Sequence, residues 1–282
     1  MTMAEEARKQ PFRADIHVHS EYSQDSTCPV SEIYRAAKEK KLDLVCITDH
    51  CDIHPHHDVP ELLAYRKKTV EGITESLRDC PDVEILIGVE LGGGFMEPEI
   101  ARAVVESRKY DLVIGSVHGI MFRGGRKSTS HFDFGAVDEA AVLEYMDGYL
   151  DATAYIAEKL DVDVLAHMTY ILRYVNGKYQ RNIDWHRFED KIRRVLRAII
   201  ARNIALEINT SCVGSSYDAW LPDKEIVDLY IEMGGRLFTL GSDAHRAEKL
   251  GSGFEEVKAY LRQKGIRTLL YYKNRIPHTY EI

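Results

Sequence analysis

The sequence sets histidines and carboxylates at the ends of short apolar runs. Asp15-Ile16-His17-Val18-His19 and Gly241-Ser242-Asp243-Ala244-His245 each carry two such residues two apart. Thr48-Asp49-His50, Gly115-Ser116-Val117-His118 and Leu165-Ala166-His167 end in one histidine, and Gly88-Val89-Glu90 ends in a carboxylate. In a strand, residues two apart face the same way, so His17 and His19, or Asp243 and His245, can grip one ion. Imidazole and carboxylate without thiolate suit zinc, iron or manganese and disfavour calcium and cuprous copper. The six imidazoles with Glu90, Asp243 and Asp25 exceed what one ion uses, so two or three divalent ions are expected, with Glu90 bridging. Cations about 3.5–4 Å apart lower the pKa of a shared water and clamp the oxygens of a displacement at phosphorus or carbonyl carbon.

A lone histidine at a strand end is ordinarily a satisfied core or rim residue. Here histidine is 12 of 282 residues yet ends five of the seven runs, which chance placement does not explain. Crowded imidazoles and carboxylates without arginine partners are costly to bury unless a cation joins them.

The elements that must position these residues are alternating strands and helices. The apolar, β-branched runs are Phe12–Val18, Leu44–Thr48, Val83–Leu91, Leu112–Val117, Val162–Ala166, Ile204–Ile208 and Leu237–Leu240. Helical periodicity covers Pro29–Lys40, with Thr27 or Cys28 as cap, then Glu61–Arg78, Glu97–Arg108, Asp138–Leu160, Asp184–Arg202, Pro222–Met233 and Gly253–Lys264. In the fifth helix, Phe188, Ile192, Val195, Leu196 and Ile199 form one buried stripe. Thr268–Tyr272 reads as an eighth strand or a packed tail. Serial strand–helix units imply a parallel sheet, and right-handed crossovers curl it into a distorted (β/α)7 barrel whose strand ends share one mouth. An open doubly wound sheet would carry a glycine-rich phosphate turn after its first strand, where His17–Ser23 holds no glycine. Gly92–Gly94 reads as a tight turn.

Composition bounds the function. At 45% hydrophobic and 29% charged, the chain is of ordinary globular make-up, and no apolar run is long enough to span a membrane. Met1–Gln10 is charged and lacks the apolar core of a secretory signal. A net charge of −8 argues against a nucleic-acid partner. Five cysteines (Cys28, Cys46, Cys51, Cys80, Cys212) without a C-x-x-C pair read as reduced thiols of a cytoplasmic protein. No linker or repeat divides residues 1–282, so one domain with a core of about 12–273 is expected, its oligomeric state unreadable.

Taken in order and spacing, the six motifs from Asp15 to His245 resemble the polymerase-and-histidinol-phosphatase (PHP) superfamily. The length and Leu206-Glu207-Ile208-Asn209-Thr210 resemble its stand-alone histidinol-phosphatase branch. The resemblance implies a distorted seven-stranded barrel with a trinuclear site. By position, the first ion takes His17, His19, Glu90 and Asp243; the second shares Glu90 and takes His118 and His167. The third takes His50, His245 and Asp25, which stands where many relatives carry histidine. The implied reaction is hydrolysis of a phosphate monoester by a hydroxide bridging two ions, with Asp243 accepting or relaying its proton. The partner is then a small phosphorylated metabolite, L-histidinol phosphate of histidine biosynthesis or another small phosphoester such as a nucleotide or sugar phosphate.

Further residues are candidates at the edge of this site. Asp15 and Asp49 adjoin donors and either orient imidazoles or form salt bridges in the wall. An Arg-Tyr pair like Arg173-Tyr174 contacts phosphate in the branch. That branch also carries an arginine soon after the Glu-Ile-Asn-Thr-Ser segment, where this chain reads Cys212-Val213-Gly214-Ser215-Ser216. Arg123, Arg126 and Lys127, on a long Gly119–Gly135 loop over the mouth, are the substitutes, with Arg126 foremost. His54, His56 and His57 read as a solvated loop, with contact to the leaving group as the functional option.

Overall fold

The protein, a computed structural model, is described for residues 11–78 and 80–282; Met1–Gln10, read above as no secretory signal, and Asp79 lie outside them. The chain runs β1 (Ala14–Val18), α1 (Val30–Glu39), β2 (Leu44–Ile47), β3 (His50–Asp52), α2 (Val59–Ser76), β4 (Glu84–Ile87), β5 (Val89–Gly92) and α3 (Pro98–Glu106). It continues through β6 (Val113–Ser116), β7 (Gly119–Phe122), β8 (Gly125–Ser128), α4 (Glu139–Lys159), β9 (Val164–Leu165), α5 (Tyr170–Leu172) and a π-helical turn over Arg173–Lys178. Then come α6 (Glu189–Arg202), β10 (Ala205–Asn209), α7 (Lys224–Glu232), β11 (Phe238–Gly241), α8 (Phe254–Gln263), β12 (Thr268–Lys273) and β13 (Ile276–Glu281).

Two parallel ladders carry the fold, β1–β2–β4 and β3–β5–β6–β9–β10–β11. They are joined where the chain passes from one ladder to the other. The second expected strand, Leu44–Thr48, ends as β2 and is followed after Thr48-Asp49 by a further strand, β3, and the third breaks at Gly88 into β4 and β5. Hydrogen bonds cross the breaks: Gly88 N–H donates to Ile47 C=O at 2.8 Å and Glu90 N–H to Thr48 C=O at 3.1 Å. The far edges meet at a seam, where Asp243 N–H donates to His17 C=O at 2.8 Å and His19 N–H to Ala244 C=O at 2.9 Å. The seven expected strands therefore form a ring that closes through residues just beyond β11.

The helices follow their apolar spacing. Val30, Ile33 and Ala37 bury one face of α1, and Ile192, Val195, Leu196 and Ile199 bury one face of α6, as their periodicity requires. Asp58 and Asp138 cap α2 and α4 by accepting the N–H groups of Glu61 and Ala141. The cap expected of Thr27 or Cys28 on α1 is absent. Pro29 holds that position, and Glu21 Oε2 instead accepts the Val30 N–H at 2.7 Å. Residues 119–135 are not one loop either, since β7 and β8 pair antiparallel as a hairpin.

Thr268–Tyr272 does not join the ring as an eighth strand. It belongs to β12, which pairs antiparallel with β13. The hairpin turn is Asn274-Arg275, both at positive φ (51° and 62°), the conformation a two-residue turn demands. That turn is clamped beside the starts of β6 and β9. Asn274 N–H donates to Asp111 Oδ1 at 3.0 Å, and the Arg275 guanidinium is bidentate on both Asp161 and Asp163. Asp163 also accepts the Val113 N–H, so its charge is anchored whether or not Arg275 is present. Replacing Arg275 by Ala is expected to destabilise the fold by about 2 kcal/mol, because the part-buried Asp163 loses its cation and the turn loses its tie to the exposed Asp161. Calorimetry reads this as a lower Tm, with Arg275→Lys recovering only part of it because ammonium cannot reproduce the fork. An unchanged Tm would show that the hairpin clamp is idle.

Candidate metal centre

Glu90 lies at the centre of the mouth and is wholly buried. Its Oε1 stands 3.0 Å from His118 Nε2 and 2.9 Å from His167 Nε2. Its Oε2 stands 2.7 Å from His50 Nδ1, 3.4 Å from His17 Nε2 and 3.6 Å from His19 Nε2. Asp243, in the left-handed region at φ 53°, turns its Oδ1 to 3.1 Å from His19 Nε2, 3.8 Å from His17 Nε2 and 3.6 Å from His245 Nδ1. Asp25 closes the outer side, with Oδ2 at 3.3 Å from His50 Nε2 and 3.1 Å from His245 Nε2. Every donor expected from the strand ends is thus gathered in one place.

The outer nitrogens of three of these rings are held by acceptors. His17 Nδ1 meets Glu207 Oε1 at 2.6 Å, His118 Nδ1 meets Asp52 Oδ1 at 2.9 Å and His19 Nδ1 meets Ser23 Oγ at 3.0 Å. With Nδ1 donating outward, each Nε2 lone pair points inward, the tautomer a metal requires. Two glycines make the room. A Cβ on Gly241 would fall 2.1 Å from Glu207 Oε1, and one on Gly92 would fall 1.8 Å from Asp52 Oδ1.

Protons alone do not satisfy this arrangement. Burial pushes Glu90 and Asp243 upward, but the surrounding imidazoles overcome it and hold both well below the usual carboxylate range. Burial pushes His50 down, while Glu90 and Asp25 overcome it and lift it to about 10. His19, buried and stacked 4.3 Å from both His50 and His245, is driven down to about 3. A neutral His19 turns its Nε2 lone pair on two carboxylates, a repulsive contact that a cation between them converts into coordination. Consistently, His17 Nε2, His19 Nε2, His50 Nδ1 and Glu90 Oε2 are buried without any hydrogen-bond partner. Triads of these donors, such as His17/His19/Glu90 and His50/Glu90/His118, have ligand atoms within 4.8 Å of one another. The donor set fits divalent metal ions.

The secondary candidates sort differently. Asp15 accepts from Ser242 N, Ser242 Oγ and Gly251 N, and Asp49 from Ser20 N and Oγ, so both pin loop backbone and neither contacts an imidazole nor forms a salt bridge. The imidazole-holding role expected of them falls to Glu207, Asp52 and Ser23. Arg66, also missed, is buried in the wall and donates to the carbonyls of Asp49 and His50. A cavity of about 720 Å³ opens over the donors, lined among others by Arg126, His131, Tyr170, Arg173 and Tyr174. Arg123 turns away to Glu144, Lys127 is exposed, and of His54, His56 and His57 only His54 lines the cavity. All five cysteines are free thiols, and among the described residues no helix is long and apolar enough to cross a membrane.

Glu207 offers a test. Its Oε1 accepts from His17 Nδ1 while its Oε2 accepts the His167 N–H at 2.7 Å, so an amide in either orientation loses one of the two. Glu207→Gln is expected to weaken zinc binding 10- to 100-fold, roughly the effect of losing an outer partner of a ligating histidine. Competition with a chromophoric chelator reads this directly, and unaltered zinc affinity in a folded variant would remove Glu207 from the site.

A family model for the PHP domain matches residues 15–211. Among curated relatives, a probable histidinol-phosphatase of Thermotoga maritima is 26% identical over 249 residues, 88% of this chain and 91% of that protein. A histidinol-phosphatase of Lactococcus lactis is 26% identical over 266 residues, 91% of this chain and 93% of its own. Among solved structures, histidinol phosphate phosphatase from Lactococcus lactis, complexed with zinc, L-histidinol and phosphate, superposes with a TM-score of 0.72. It is 22% identical, covering 94% of this chain and 98% of that one, a likeness of fold. A putative histidinol phosphatase from Listeria monocytogenes gives a TM-score of 0.70 at 20% identity, covering 86% of this chain and 99% of that one. Since the matched segment takes in five of the six strand-end motifs and most of the barrel, the chain belongs to the PHP domain family.

Proposed function

We propose that this chain is a metal-dependent phosphomonoesterase of the histidinol-phosphatase type, converting L-histidinol phosphate and water to L-histidinol and phosphate. One observation carries the reading: the ring of imidazoles around Glu90 opens into a cavity whose wall holds Arg173 without a carboxylate partner. The names of the relatives support the substrate, and a role in histidine biosynthesis in the cytoplasm follows from it.

His17, His19, Glu90 and Asp243 would hold one ion, Glu90, His118 and His167 a second, and His50, His245 and Asp25 a third, each zinc, iron or manganese. Such ions supply Lewis-acid polarisation of the ester oxygens and a water acidified towards neutrality. Glu90 acts by position, being the carboxylate both inner donor sets share. Asp243 lies at the floor of the cavity, with Oδ2 3.5 Å from Asn209 Nδ2, and is placed to take the proton of the attacking water. Arg173 is half-buried beside Tyr174, its guanidinium 5.9 Å from that ring's centre, and among the described residues it meets no carboxylate within salt-bridge reach. It would take the phosphate oxygens as a fork, with Arg126 as a further substrate contact.

A second reading keeps the chemistry and changes the ester to another small phosphoester. The stretch Cys212–Ser216, without the arginine the histidinol-phosphatase branch carries there, favours it. Phosphate release from a panel that includes L-histidinol phosphate separates the two, and preference for that ester supports the first.

Glu90→Ala is expected to lower turnover by more than the roughly 100-fold that losing an outer partner costs, with metal content falling in parallel. Near-normal turnover would overturn the assigned centre. Arg173→Ala is expected to raise KM for phosphoesters about ten-fold with a smaller change in kcat, since it removes a charged hydrogen bond to bound phosphate. An unchanged KM would take Arg173 off the substrate.

A further inference from the structure

The hairpin β7–β8 carries two arginines of opposite fate. Arg123, facing outward, is paired with Glu144. Arg126, three residues on, lines the cavity; its Nε is buried without a hydrogen-bond partner, and among the described residues no carboxylate lies within salt-bridge reach of it. Its surroundings are donors. Ser128 and Ser130 hydroxyls lie 2.9 Å apart, both contact His131 Nδ1, and all three residues line the same cavity together with His54. The acid near this wall, Asp52, has both oxygens taken, by His118 Nδ1 at 2.9 Å and by Gln24 Nε2 at 3.1 Å. Arg246 and Lys249 continue the cationic lining after β11, again without a carboxylate partner among the described residues.

The chain's net charge is −8, and several arginines away from the cavity find acids, as Arg187 finds Glu139 and Arg194 finds Glu158, while Arg66 and Arg202 spend their guanidinium groups on backbone carbonyls. A single phosphate is already faced by the donor ring and Arg173. A part-buried guanidinium whose Nε has no partner is stabilised when an anion enters and pairs with it. We propose that Arg126, with Ser128, Ser130 and His131, forms a subsite for a second anionic group of the substrate, so that phosphoesters of acidic alcohols are a further substrate class. The inference deepens the phosphatase reading and rests on it only for where the reacting phosphate sits.

Three phosphonates that cannot be hydrolysed test it: 4-phosphonobutanoate, butylphosphonate and 3-aminopropylphosphonate, each three methylenes from phosphorus and ending in carboxylate, methyl or ammonium. Calorimetry on zinc-loaded protein is expected to rank the carboxylate about ten-fold tighter than the methyl compound, the size of one charged hydrogen bond, and the ammonium weakest. Arg126→Ala should erase the carboxylate advantage over the methyl compound, and Arg126→Glu should favour the ammonium end. Equal binding of all three, or a carboxylate advantage that survives both variants, would overturn the subsite. Phosphate release from simple esters is read in parallel. If no ester is cleaved while the binding order holds, the phosphatase reading falls and the subsite stands; cleavage with no binding order does the reverse.

Discussion

A single buried carboxylate sets the terms for everything else at the mouth. Glu90 has no contact with water, yet five imidazole nitrogens stand within 3.6 Å of its oxygens. A charge in that position costs several kcal/mol unless cations compensate it. Arginine, the usual partner, is kept out of the ring: Arg66, buried nearby, spends its guanidinium on backbone carbonyls and on Tyr110. The compensation must arrive through the imidazoles, and they are too crowded to be protonated together. His19, lying against two other rings, stays neutral. Divalent ions remove the conflict by taking the lone pairs that protons cannot all occupy.

The backbone is arranged so that this crowding persists. His50 and Glu90 are register partners between β3 and β5, which fixes their separation by the ladder itself. Both strands are broken just before those residues, and the break is stitched from outside: Asp49 binds Ser20, and Arg66 binds the Asp49 and His50 carbonyls. Across the seam, Asp15 ties Ser242 and Gly251 to β1, so the turn bearing Asp243 and His245 is held against His17 and His19. The seam hydrogen bonds run through the backbone of the donor residues. Closing the ring and assembling the donors are one event.

What the sequence revealed and what it hid follow from this division. Donor types and their strand ends were legible, because a histidine after an apolar run is visible without knowing its neighbours. The parallel ring was legible from the alternation of strand and helix. Partners were not. Asp15 and Asp49 lie close to donors in sequence, but their carboxylates bind the loop backbone of Ser242, Gly251 and Ser20, so nearness misled. Glu207 carried a readable signal, a lone acid inside the apolar strand Ala205–Asn209, which must be satisfied if buried. Asp52 and Ser23 carried none, since their roles depend on the break after β2 and on the fold of the turn following β1. The β7–β8 hairpin was concealed by its Arg-Gly-Gly-Arg-Lys tip, whose polar residues read as loop although Gly124 at φ 85° serves a tight turn. The cap of α1 hid for a similar reason, since Glu21 reaches it from nine residues away.

The distribution of charge gives the site its direction. The molecule is acidic overall, yet its carboxylates at the mouth are spoken for: Glu90, Asp243 and Asp25 by the imidazoles, Asp52 by His118 and Gln24. The cations above them, Arg126, Arg173, Arg246 and Lys249, are free of acids among the described residues. A cleft lined by one sign of charge focuses the field and raises the local concentration of oppositely charged ligand. The four cations thus make the rim of this cavity a place where an anion is attracted on a molecule whose net charge is −8. Metal ions held by the donor ring would extend the same gradient downward from the rim. The constraint that makes the centre demand cations would therefore also orient an anionic ester, its phosphate leading towards the donor ring once that ring holds metal.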